Sequence, residues 1–208
     1  MLRIFFIGVA ILLAGCEGVF LQPPSEAVVS RGAVTIVGPT GYCVDRSAGQ
    51  DSDAGAFVLL GSCASLGNNA AFAAPRVPGA LTASVSVDNG ANIGGELGRL
   101  GAFFRTSQGR EALARDGQAT SVTMLSASAR DDVLFMKVRD TSANPVNGLA
   151  QDYWRALFDL RGRIVTLSVN SFQKKPMSSD DGFTTLAEFV ARVRAQNPAL
   201  VDETADPV

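Results

Sequence analysis

The chain of 208 residues contains no histidine, and several classes of catalysis depend on that residue. Without an imidazole there is no Ser-His-Asp triad, no Cys-His pair and no histidine metal site. The commonest general base at neutral pH is missing as well, so an enzyme would have to use carboxylates or lysine. The sequence therefore predicts no catalytic residue, no metal ligand and no cofactor, and it leaves enzymatic activity uncertain but disfavoured.

Charged residues are also scarce, at 18% of the chain against roughly 25% in soluble domains. The formal net charge is -2 and there is no basic cluster, whereas binding to nucleic acid needs a positive stripe that neutralises phosphates. We therefore expect that nucleic acid is not a partner. Hydrophobic residues make up 47% of the chain and include 12 Phe, which is enough for the core of one domain.

The N-terminus has one positive charge, Arg3, followed by an apolar run from Ile4 to Leu13. This order is typical of a secretory signal peptide. The run of about ten residues would span about 15 Å as a helix, which is half the roughly 30 Å of a bilayer core. A signal peptide is therefore favoured over a membrane-spanning anchor.

The residues that follow, Leu13-Ala14-Gly15-Cys16, resemble the lipobox of bacterial lipoproteins. That resemblance implies cleavage before Cys16, a diacylglyceryl thioether on its thiol and an acyl chain such as palmitate on its amine. Glu17 follows Cys16, and its resemblance to the enteric sorting rule implies the outer membrane, with the domain facing the periplasm. The alternative is an ordinary signal peptide that contains a cysteine. The membrane, through the lipid on Cys16, is the first predicted partner.

The predicted domain organisation follows from this start and from the composition further along the chain. Residues 1–15 are predicted to be the signal peptide, 16–31 a lipidated N-terminus and tether, 32–200 a single domain, and 201–208 a flexible acidic tail. The tether prediction depends on Pro23-Pro24 and on weak periodicity. Setting Cys16 aside leaves Cys43 and Cys63, which we predict to form a disulfide in an oxidising compartment. A redox or metal pair and two free thiols are the alternatives.

Alternation of apolar and polar residues predicts about seven strands, and helical spacing predicts two helical regions. The strands are expected at Val34–Val44, Ala56–Cys63, Leu81–Val87, Ala119–Ser128, Val133–Asp140, Asp152–Asp159 and Arg163–Phe172, with a polar loop at Asp45–Gly55. The helical regions are expected at Ile93–Arg115 and between Ser179-Asp180-Asp181 and Asn197-Pro198. The fold class is therefore α+β, an antiparallel sheet covered by helices.

From Val34 to Pro198 this order of elements resembles the PsbP-like α/β sandwiches, small extracytoplasmic or adaptor domains. The motifs Gly41–Asp45, Phe57–Cys63 and Asp152–Arg155 are similar to those of uncharacterised proteobacterial lipoproteins. Neither resemblance implies an activity.

Other motifs have ordinary structural explanations. Ser171 and Lys174 have the Ser-x-x-Lys spacing but stand at a strand end, and the acidic pairs Asp131-Asp132 and Asp180-Asp181 fit a hairpin turn and a helix start. Asp51 and Asp53 fit a solvated loop, and Arg161, Arg163, Lys174 and Lys175 fit rim charges.

Period-two spacing puts Trp154, Ala156 and Phe158 on a core face, leaving Tyr153 and Arg155 as an exposed pair and a candidate interaction surface. We expect a non-catalytic envelope lipoprotein that presents a surface to an envelope protein. The alternative is a small-ligand carrier or an enzyme that uses the face between sheet and helices.

Overall fold

A computed structural model of the chain describes residues 21–143 and 146–199. The strands are β1 (Glu26–Val29), β2 (Val34–Val37), β3 (Tyr42–Ser52), β4 (Gly55–Ser62), β5 (Gly79–Val85), β6 (Val122–Arg130), β7 (Val133–Asp140), β8 (Leu149–Leu160) and β9 (Arg163–Phe172). The helices are α1 (Cys63–Leu66), α2 (Leu97–Phe103), α3 (Ser107–Leu113) and α4 (Ser179–Gln196). None of these helices combines the length and the hydropathy needed to cross a bilayer.

Seven strands form one sheet in the order β3-β4-β5-β9-β8-β7-β6, and β1 pairs with β2 in a separate hairpin. Every pair of neighbours is antiparallel, which confirms the predicted α+β class. Cys43 lies at the end of the sheet where β3, β5 and β8 begin and where β4, β7 and β9 finish. We call it the disulfide end and call the opposite one the hairpin end.

Tight turns join the strands at the hairpin end. Asp131 and Asp132 both have positive φ, as do Arg161 and Gly162, and this is the backbone of the two-residue turns that match the twist of paired strands. The predicted turn at Asp131-Asp132 is confirmed. The register of the pairing shifts between Asp45 and Gln50 in β3 and between Met124 and Ser126 in β6.

Apolar layers cover one face of the sheet and the part of the other face that β6 to β8 form. On one face, which we call the α4 face, α4 and the β1–β2 hairpin pack over the sheet around Phe158, Leu186 and Phe189, each at most 1% exposed. On the other face, α2 and α3 cover β6 to β8 around Leu134, Met136 and Tyr153. Burying aliphatic and aromatic side chains contributes about 1.5–3 kcal/mol each, so these two layers stabilise the fold.

The β1–β2 hairpin is joined to the end of α4 through Asn197, whose side chain is buried. Its amide accepts from Thr35 N at 2.8 Å and donates to Thr35 O and Val193 O, both at 2.7 Å. Arg161, predicted to be a rim charge, instead donates to Ala33 O at 2.8 Å and is half-buried. A hairpin of four-residue strands is marginal alone, so these bonds hold it on the domain.

Several predicted boundaries were wrong. The segment 16–31, predicted to be a tether, contains β1, and Pro24 O already accepts a hydrogen bond from Val44 N at 2.7 Å. The predicted strand Val34–Val44 is divided into β2 and β3 at a turn that includes Gly41, with φ of 85°. The predicted loop Asp45–Gly55 is mostly strand, because backbone pairing with β4 does not require apolar side chains.

Candidate functional site

A groove lies on the α4 face at the disulfide end, between the ends of β7, β8 and β9 and the start of α4. We call it the α4 groove, and its volume is about 470 Å³. Its walls include Lys137, Arg139, Gln151, Asp152, Trp154, Ser171, Gln173, Met177 and Ser179. The volume lies within the range of about 300–1,000 Å³ that is usual for ligand sites, and the groove is open to solvent along its length.

A bulge in β8 shapes one wall of the groove. Leu149 is opposite Phe172 and Tyr153 is opposite Asn170, so β8 passes four residue steps against two on β9. The side chain of Gln173 bridges the irregularity by donating to Leu149 O at 3.0 Å. Because a bulge redirects the side chains beside it, Gln151 reaches the groove.

Trp154, the only tryptophan in the sequence, forms the apolar part of the groove and is half-buried. Its indole Nε1 donates to Ser179 O at 3.1 Å, and its ring centroid lies 5.2 Å from that of Phe183. A Cβ atom on Gly182 would come within 2.6 Å of Trp154 Cδ1. The indole is therefore held against the first turns of α4 because residue 182 has no side chain.

Basic side chains form the polar rim. Lys137 Nζ lies 5.9 Å from the centroid of the Trp154 ring and 3.1 Å from Ser179 Oγ. Arg139 donates to both carboxylate oxygens of Asp152, at 2.6 and 2.9 Å. These hydrogen bonds hold the pKa of Asp152 below its usual range, so that carboxylate is charged and already occupied at neutral pH.

The start of α4 has its own internal partners. Ser178 Oγ accepts from Asp181 N at 3.0 Å, so Ser178 is the N-cap. The pKa of Asp181 is lowered by the hydrogen bond from Ser178 and then by that from Arg76. Asp180 and Asp181 occupy the first turn, as the sequence predicts, and their negative charge complements the positive end of the helix dipole.

The groove combines polar and apolar side chains. Its hydroxyls, those of Ser171, Ser178 and Ser179, lie beside no histidine, and its carboxylate Asp152 is hydrogen-bonded to Arg139. A serine nucleophile needs an adjacent base, and the amine nearest to these hydroxyls is Lys137 Nζ, 3.1 Å from Ser179 Oγ. The walls also provide an indole, and tryptophan is among the side chains enriched at protein interfaces.

The predicted interaction pair, Tyr153 and Arg155, lies on the opposite face of β8, and its predicted exposure was wrong. Tyr153 is 4% exposed beneath α2 and α3, and that burial raises its pKa. Arg155 is half-buried, with its guanidinium 5.0 Å from the Tyr153 ring centroid. Because both faces of the sheet are covered at β8, alternation alone does not identify the accessible face. The sequence offered one indication of the accessible side chain, because Trp154 is its only tryptophan.

The structure confirms the predicted disulfide, with the sulfur atoms of Cys43 and Cys63 bonded. Cys16, together with residues 1–15 and 201–208, lies outside the described residues, so its lipidation stays a prediction. No group of three potential metal ligands occurs within residues 21–143 and 146–199.

The remaining motifs have the following positions. Ser171 is in β9 and Lys174 is exposed after it. Asp51 is in β3 rather than a loop and accepts from Ser30 N at 3.0 Å, while Asp53 pairs with Arg31. Arg163 pairs with Asp88 and is mostly buried.

No protein-family model matches the chain, and no curated protein matches it in sequence. Among solved structures, it is similar to the solution structure of cyanobacterial PsbP (CyanoP) from Synechocystis sp. PCC 6803. The TM-score is 0.44 at 16% identity, covering 89% of this chain and 96% of that one. The likeness is weak and concerns the fold alone. It says nothing about the groove.

Proposed function

We propose that the chain is a lipid-anchored protein of the bacterial envelope, attached through Cys16, whose domain is non-catalytic and binds an envelope protein at the α4 groove. The anchor and the outer-membrane, periplasm-facing location are supported by the signal peptide, the lipobox Leu13–Cys16 and Glu17. The binding role is supported by one observation, the open groove in which Trp154 stands beside Lys137.

The chemistry of the groove indicates what the partner segment should contain. Lys137 forms no ion pair with a described residue, whereas Arg139 is already paired with Asp152. A segment with a carboxylate next to an apolar side chain would match Lys137 and Trp154 together. Aromatic anchors such as tryptophan supply much of the free energy of many protein interfaces.

The carrier alternative has less support from this geometry. A carrier for an apolar ligand needs a concave site that encloses most of the ligand. The two apolar layers of the described domain are filled by packed side chains such as Phe158, Phe189 and Met136.

Photo-crosslinking in living cells tests the binding role. A photoreactive amino acid at the exposed Gln151 is expected to give a discrete crosslinked product, and the same residue at Ser128, exposed on β6, is expected to give none. Lys137→Glu should abolish the product, whereas Arg46→Glu, a charge reversal on β3 far from the groove, should leave it unchanged. Equal products from Gln151 and Ser128, or insensitivity to Lys137→Glu, would refute the proposal.

Lipidation is tested separately. Cells fed an alkyne-labelled fatty acid should label the protein, and Cys16→Ser should remove the label while leaving the domain folded. A Cys16→Ser protein that stays labelled, or that stays in membranes through its leader, would contradict the lipobox assignment.

A further inference from the structure

From the way the N-terminal segment is attached to the domain, we infer that the disulfide end lies directly on the phospholipid surface, with an apolar loop dipping into it. This inference depends on the proposed lipidation of Cys16. The contact surface consists of Leu21, Leu66 and the loop 68–75, and we call it the anchor-proximal surface.

A lipid on Cys16 can lie only a short distance from the domain. The segment before β1 is bound to the domain, because Val44 N donates to Pro24 O at 2.7 Å and Gly38 N donates to Ser25 O at 3.1 Å. Pro23 O also lies 3.0 Å from the sulfur of Cys43. From Cys16 to Leu21 there are five residue steps, which span at most about 18 Å. A domain of this size has a diameter of roughly 40 Å, so the domain cannot stand on its hairpin end with the disulfide end pointing away from the bilayer.

The surface beside that attachment is apolar and carries almost no charge. Leu21 is 84% exposed and Leu66 is 37% exposed, and the loop contains Ala70, Ala71, Ala73 and Ala74, all exposed, with Phe72 half-buried between them. Between Asp53 and Asp88 the sequence has no acidic residue, and its only charge is Arg76. Desolvating this surface at a membrane interface therefore costs little, and its apolar side chains favour insertion.

Backbone hydrogen bonds hold the loop in place. Ala64 N donates to Ala73 O at 3.0 Å, and Asn69 N donates to Ala64 O at 3.1 Å. The disulfide of Cys63 with Cys43 and the packing of Phe72 beside Gly67 hold its base. Phe72 therefore packs inward, while the exposed alanines of the loop and Leu66 are presented outward by a structured segment.

Positive charge lies at the margin of this surface. Gly79 pairs with Ser171, so the exposed Lys174 and Lys175 leave the sheet at the same end as the loop. Neither lysine forms an ion pair with a described residue. Lysines at this position match anionic headgroups, each contributing favourably near a negative membrane surface. A second protein copy would bring its own like charges to the same contact.

The test uses the lipidated protein in vesicles of phosphatidylcholine and phosphatidylglycerol that contain lipids brominated along the acyl chains, which quench tryptophan. Two variants lack the native indole: Trp154→Phe with Leu66→Trp, and Trp154→Phe with Val87→Trp. Val87 is a matched control, because it is an apolar residue 45% exposed and follows β5 at the hairpin end. Circular dichroism confirms that both are folded.

The expected result is that the Leu66→Trp protein shows a blue-shifted emission and severalfold greater loss of emission to brominated lipid than the Val87→Trp protein. Equal quenching in protein that mass spectrometry shows to carry acyl chains on Cys16 would overturn the inference and leave the lipidation standing. A blue shift without bromine quenching would indicate a protein neighbour and would overturn it as well. Absence of acyl chains would overturn both the inference and the lipidation on which it depends.

Discussion

Replacing Gly182 with alanine tests the geometry that holds Trp154 in the groove. The added Cβ would lie 2.6 Å from Trp154 Cδ1, closer than real Cβ contacts come, and 3.0 Å from its Nε1. The indole must therefore move outward into the groove, and the hydrogen bond from Nε1 to Ser179 O is expected to be lost.

The magnitude follows from three opposing contributions. Overpacking a well-packed site costs about 1–3 kcal/mol, and losing one hydrogen bond costs about 0.5–1.5 kcal/mol. Alanine is favoured over glycine within a helix by about 1 kcal/mol. We therefore expect the Gly182→Ala protein to have a free energy of unfolding lower by about 0.5–3.5 kcal/mol, from the sum of these terms.

Gly98→Ala is the matched control. Gly98 is an exposed residue of α2, and a Cβ there would meet no atom within 4 Å. Gly98→Ala should therefore raise the free energy of unfolding of the protein, by up to about 1 kcal/mol.

Urea denaturation followed by circular dichroism measures both effects. The emission of the single tryptophan reports directly on the indole, and it should shift towards the red in Gly182→Ala only, because the indole becomes more exposed. If Gly182→Ala were as stable as the parent protein and had the same emission spectrum, the packing of Trp154 against α4 described above would be wrong.

Three further predictions concern the disulfide, two aromatic side chains of different burial and the ion pair of Asp152 with Arg139. Replacing Cys43 and Cys63 together with serine removes a bond across a sequence separation of 20 residues, and should lower the free energy of unfolding by about 3 kcal/mol in the chain-entropy model; calorimetry would show the melting temperature falling, and an unchanged value would contradict the estimate. Phe189→Ala, at a side chain with 0% exposure, should cost about 3–5 kcal/mol, whereas Phe103→Ala, at 37% exposure, should cost clearly less in the same urea titration. Because the pKa of Asp152 is lowered by Arg139, its contribution to stability is present above the pKa of an unfolded Asp carboxyl and is lost as the pH falls through the folded value; Asp152→Asn should therefore be less stable than the parent at neutral pH and equally stable in strong acid, and a constant difference across that range would refute the assignment.

The strands that could be predicted best are those whose signals are local. The predicted bounds Val133–Asp140 and Arg163–Phe172 coincide with β7 and β9, because their alternation is clear and each begins directly after a tight turn. The disulfide could also be predicted, from the number of cysteines and the oxidising compartment that the signal peptide predicts.

The groove could not be predicted, because it depends on contacts distant in sequence. It forms where α4 starts against the first residues of β8, and the bulge in β8 between Leu149 and Tyr153 sets which side chains reach it. Trp154 lies on the predicted core face with Ala156 and Phe158, but Tyr153 is not accessible because α2 and α3 cover its face. Nothing in the local alternation records how far a helix extends over a sheet.

The register shifts in β3 and β6 have a consequence for crowding on a membrane. These two strands are the edges of the seven-stranded sheet, and unpaired edges are templates for sheet growth between molecules. Leu125 is the extra residue of the bulge in β6, and Val44 N on β3 already donates a hydrogen bond to Pro24 O. Neither edge therefore offers a long, straight row of free backbone groups. Molecules concentrated in two dimensions by a lipid anchor would meet edges that resist aggregation.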